Sequence, residues 1–143
     1  MKPFSLHAVL RYRERLRDIA RTKFQDAQNE HARVLKNRSV KQQEQTILIE
    51  TLEFKQAEGI EIKDHILFEN RIALLQEEII QLDRELKRKQ EVLVRERNYL
   101  LEKSKEKRAM ERLKEKQDDA WNKHLDKKES AMLDEIAVLY RNR

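Results

Sequence analysis

Apolar side chains recur through the second half of the chain at alternating steps of four and three: Phe68, Ile72, Leu75, Ile79, Leu82 and Leu86. Such steps keep one narrow apolar stripe turned toward a partner helix, the pattern of a left-handed coiled coil. The same phase runs on through Lys89, Leu93, Glu96, Leu100 and Lys103 with no Gly or Pro to interrupt it. The pattern therefore predicts one long helix over 60–140. In the first half, Leu16, Ala20, Phe24, Ala27, His31 and Val34 follow the same rhythm, which predicts an N-terminal helix and turn region over 4–58. Pro3 fits ahead of or within its first turn, where a missing N–H costs nothing.

One stretch breaks the rhythm. Between Asn37 and Thr46 the only aliphatic residue is Val40, so the helix either crosses this stretch with little packing or breaks there. Gly59, the sole glycine, is the natural helix C-cap and reversal point. A reversal there opposes residues whose numbers add to about 120, the register of a tight helical hairpin. Leu52 then meets Phe68, Leu48 meets Ile72, Val34 meets Leu86, Ala27 meets Leu93 and Ala20 meets Leu100, with Lys89 beside Glu30 or His31. This register leaves Leu75, Ile79 and Leu82 facing the polar Arg38, Lys41 and Gln45, and leaves everything beyond Gln117 without a partner. A shifted register, with short helices over 37–60 and Ala27 facing Leu113, is the alternative, and both stay open at this point. The fold class expected is all-α: a long antiparallel two-helix coiled coil, a single rod over 1–143, with room for short helices at the turn.

Composition agrees with that class. Of 143 residues, 41% are charged and 38% hydrophobic, against about 25% and 45–50% for soluble domains, too little apolar matter for a thick core. One Gly and one Pro remove the turn chemistry that many short strands need. There is no cysteine, which fits a reducing compartment, and no run of the ~20 apolar residues a membrane span requires. The N-terminus lacks the apolar core of a signal peptide, so a cytoplasmic location is expected. The formal net charge of +5, from 32 basic and 27 acidic residues, reads as a solvated helix surface rather than a clustered phosphate-binding face.

Catalytic chemistry finds no foothold. A glycine-rich phosphate loop is impossible with one glycine, and no cysteine nucleophile exists. His7, His31, His65 and His124 are far apart and lack the i, i+4 spacing that puts two imidazoles on one metal. Asp118–Asp119 and Asp134–Glu135 are adjacent pairs, about 100° apart on a helix and badly placed for acid/base work. No enzyme activity, cofactor or metal is expected.

A second apolar stripe lies on the tail, where Trp121, Leu125, Met132, Ile136 and Leu139 share a face. Isolated helices gain little from propensity alone, so such a stripe implies a binding partner. The opening Phe4-Ser-Leu-His-Ala-Val-Leu-Arg-Tyr-Arg-Glu14, the Gly59 before a long heptad helix, and a closing segment with Leu113, Trp121, Lys128, Glu129 and Leu133-Asp134-Glu135 together resemble the FliJ family of flagellar type III export proteins. The resemblance spans essentially the full chain.

What the resemblance implies is a cytoplasmic antiparallel coiled coil, similar to the central stalk of rotary ATPases. Its partners would be the hexameric export ATPase, the cytoplasmic domain of the export gate and export chaperones, with peripheral association to the inner face of the cell membrane through the export apparatus. Matching the aromatic that starts the long helix places the gate contact on Phe68, Ile72, Leu75 and Ile79. The hairpin brings the chain ends together, so the ATPase-facing tip is expected at Phe4, Leu6, Leu10, Tyr12, Arg13, Ile136, Leu139 and Tyr140, among the bases Arg11, Arg141 and Arg143. The competing readings are a stalk protein of virulence-type secretion, a general export chaperone without an ATPase contact, and a structural or nucleic-acid-associated coiled coil.

Overall fold

The computed structural model describes residues 6–142. They form two helices, α1 (His7–Glu58, 52 residues) and α2 (Ile62–Arg141, 80 residues), an all-α helical hairpin with no strand among the described residues. Neither helix contains Gly or Pro, so nothing in the backbone interrupts either ladder. The connection is Gly59, Ile60 and Glu61 alone, without the short helices that the shifted register required. Gly59 has a φ of 104°, a conformation that costs glycine little, and its N–H donates to the Lys55 carbonyl at 2.9 Å to close the last turn of α1.

The contacts divide the chain into two compact units, one spanning Arg21–Tyr99, the other made of the residues up to Ala20 and from Leu100 on. In the Arg21–Tyr99 unit the helices run antiparallel with facing numbers that add to about 120, as Lys89–Glu30 at 3.6 Å, Lys41–Glu78 at 3.5 Å and Gln45–Gln76 at 2.8 Å all require. The unshifted register is therefore the one adopted. Its seam takes one side chain every three or four residues: Ala27, Val34, Leu52, Leu75 and Ile79 are buried, and Phe24, His31, Leu48, Phe68, Ile72, Leu82 and Leu86 half-buried.

The stretch Asn37–Thr46 is helical throughout, and it packs. Leu75 is 0% and Ile79 3% exposed, which corrects the expectation that these two and Leu82 lack partners. Arg38 pairs with Asp83 and Lys41 with Glu78, both on the opposite helix, so the two side chains cross the seam and their aliphatic stems cover the apolar residues below. Gln45, 6% exposed, is the one buried polar side chain among the described residues; its amide donates to Gln76 Oε1 at 2.8 Å and accepts from Gln42 at 3.4 Å. With both ends of the amide bonded, burial carries little desolvation penalty.

In the other unit Leu10 and Met110 are buried against each other with Leu6 packed alongside, again at numbers adding to about 120. Arg13 Nη1 bridges to Glu106 Oε2 at 3.2 Å across the same pair. From Trp121 onward the picture changes: Trp121 is half-buried, and every described residue after it is exposed.

Candidate protein-docking surfaces

The tail of α2 is the first candidate. Continued past Trp121, the phase of the hairpin seam would fall on His124, Lys128, Ala131, Glu135 and Val138, mostly polar. The apolar side chains sit elsewhere, at Leu125, Met132 and Leu139 every seven residues, with Ile136 beside them. Gln117, Trp121 and Leu125 make two successive steps of four, and that extra step swings the stripe out of the seam's phase. The tail thus carries a face of its own rather than a continuation of the one α1 covers. Met132, Leu139 and Tyr140 are 57%, 67% and 75% exposed.

The residues expected at the tip separate into two groups. Leu10 is buried, Leu6 packs against it, and Arg13 is half-buried in its bridge to Glu106; all three hold α1 against α2. Tyr12, Ile136, Leu139 and Tyr140 are exposed. Phe4 and Arg143 lie outside the described residues.

The segment 68–79 is the second candidate. All four residues expected there belong to the seam: Leu75 and Ile79 are buried, and Phe68 and Ile72 half-buried, with the Lys55 ammonium 5.0 Å from the Phe68 ring centroid. What this stretch presents to solvent is its neighbours, Ile66, Leu67, Leu74 and Ile80, which are 42–59% exposed. On α1, Val40, Ile47 and Phe54 form a matching outer row at steps of seven, 43–64% exposed. These rows were missed in the sequence because the 3–4 seam alone was followed; a second apolar series at i, i+7 outside the seam was the available signal.

Charge on the hairpin is organised in pairs. Glu30 accepts from Arg33 at 3.0 Å and lies 3.6 Å from Lys89, while Arg33 also reaches Glu85 at 3.7 Å. The Arg33 hydrogen bond, then its charge and that of Lys89, hold the Glu30 carboxyl below its ordinary range, and Glu30 in turn raises Arg33. Lys107 and Arg108 depress Glu111 in the same way. No group of three or more potential metal ligands assembles among the described residues, and no helix is long and apolar enough to cross a membrane.

The family model described as Flagellar FliJ protein matches residues 1–143. Neither a curated protein nor a solved structure matches the chain.

Proposed function

The chain belongs to the FliJ family of flagellar proteins, and from that premise we propose that it is a non-catalytic, cytoplasmic stalk of the flagellar export apparatus. In this reading it binds the hexameric export ATPase and promotes its turnover, contacts the cytoplasmic domain of the export gate, and serves in handling export substrates and their chaperones. Its association with the membrane is peripheral, through the apparatus. The observation that carries the reading is the out-of-phase apolar stripe after Trp121, exposed along its whole described length.

Tyr12, Ile136, Leu139 and Tyr140 are the contacts assigned to the ATPase, while Leu6, Leu10 and Arg13 hold the start of α1 against α2 at Met110 and Glu106. A sixfold ring cannot match an asymmetric helix pair residue for residue, so the contacts are few and apolar with charge around them. The gate contact is assigned to the stretch of α2 around Phe68, Ile72, Leu75 and Ile79. There the buried Leu75 and Ile79 act by holding the helix in place, and the partly exposed Phe68 and Ile72 touch the partner.

The test is co-purification with the hexameric export ATPase and measurement of ATP hydrolysis, for the full chain and for a chain ending at Met132. The described residues after Met132 are exposed, so the truncated protein should keep its melting temperature and the helicity of the remaining chain while losing stimulation. A truncated protein that is folded and still stimulates the hexamer overturns the assignment.

A further inference from the structure

The turn-proximal part of the Arg21–Tyr99 unit carries a second surface, on a face the seam does not use. Val40, Ile47 and Phe54 on α1, and Leu67 and Leu74 on α2, form two exposed rows at seven-residue spacing. Glu44 lies between Val40 and Ile47 on one helical face, and Arg71 between Leu67 and Leu74 on the other. Glu44 and Arg71 bridge the two helices at 3.7 Å, so both rows flank the same side of the hairpin. The two apolar rows thus run on either side of this ion pair, along one exposed side of the unit.

Its charge is one-sided. Residues 47–67 contain Glu50, Glu53, Glu58, Glu61 and Asp64 against Lys55 and Lys63. Among the described residues none of these five carboxylates forms an ion pair, whereas the Lys55 ammonium lies 5.0 Å from the Phe68 ring centroid. Three of them border the apolar rows: Glu50 is three residues after Ile47 and four before Phe54, Glu58 is four after Phe54, and Asp64 is three before Leu67. Solvated carboxylates beside exposed apolar rows repel anionic lipid and nucleic acid, and a second copy of the same face would oppose carboxylate to carboxylate.

We propose that this face docks an amphipathic helix of another protein, one with an apolar stripe at heptad spacing flanked by Lys or Arg. The helix lays its stripe against the exposed apolar side chains of these rows, and its basic flanks meet Glu50, Glu58 and Asp64. The assignment goes beyond the export reading and does not depend on it, since neither the ATPase nor the gate enters the argument.

The probe is a labelled 21-residue synthetic helix with Leu at its a and d positions and Lys at e and g; its counterpart carries Glu at e and g. Binding to the full chain is followed by fluorescence anisotropy. The Lys-flanked peptide should bind, more weakly as salt rises, and the Glu-flanked one should not. The double variant Phe54→Ser/Leu67→Ser alters exposed side chains, so its circular dichroism should be unchanged while binding falls at least tenfold. Glu50→Lys/Glu58→Lys/Asp64→Lys should reverse the preference between the two peptides. Leu133→Ser, on the tail, should leave binding intact. The proposal is overturned if the Lys-flanked peptide does not bind, if both peptides bind alike, or if Leu133→Ser weakens binding as much as the double variant.

Discussion

Replacing Leu75 by Ala probes the phase of the whole seam, because its neighbour Leu74 is an internal control. Leu75 is 0% exposed and Leu74 47%. Truncating a buried Leu to Ala costs about 2–5 kcal/mol, the larger figures belonging to sites that cannot collapse. A seam between only two helices is open to water along both edges, so the lower end applies, about 2–3 kcal/mol. For a chain of this size each kcal/mol shifts Tm by roughly 2–4 °C, which puts Leu75→Ala about 5–10 °C below the parent. Leu74→Ala, at a solvent-facing position, should fall within about 0.5 kcal/mol of the parent. Thermal and urea unfolding followed by far-UV circular dichroism read both. Equal destabilisation by the two variants would mean that Leu75 is not buried between the helices and that the seam is out of phase, refuting the packing argument. Gate binding measured on the folded fraction of Leu75→Ala then separates a packing role from a direct one.

Further outcomes follow from the same geometry. Because the chain has no native cysteine, Ala27→Cys combined with Leu93→Cys should form an intramolecular disulfide under mild oxidation, seen as a mobility shift; a pair that stays reduced contradicts the register. Gly59→Ala meets no steric obstruction but must adopt a φ of 104°, so it should cost about 1 kcal/mol or more in urea unfolding, and an unchanged midpoint would show that the turn relaxes. Glu30 and Glu111 have carboxyl pKa values depressed from an ordinary 4.5 by their Arg and Lys partners. A depressed folded value contributes stability that is present above the unfolded pKa and lost as pH falls through the folded one. Melting temperature should therefore drop in acid, below about pH 4.5, and Glu30→Gln should flatten that drop in low salt; an identical pH profile for the variant would exclude the Arg33–Glu30–Lys89 group as its source.

Helix, reversal and absence of strands were all legible in the amino-acid order, since they depend on local terms: uninterrupted helical spacing, one glycine able to take positive φ, and a 3–4 apolar rhythm. The out-of-phase stripe at Leu125, Met132 and Leu139 was legible for the same reason. Only the tertiary structure decided how residues 37–46 pack. Read one at a time, Arg38, Lys41 and Gln45 are polar and leave Leu75 and Ile79 without partners. Paired with Asp83, Glu78 and Gln76, they become the cover over those residues. A long side chain is apolar along its stem and polar at its head, and which part it offers its neighbours depends on where the head finds its partner. That partner lies some thirty to forty-five residues away in the chain, beyond the reach of any local pattern, so the choice of register and the burial of the segment around Leu75 were settled only when the two helices met.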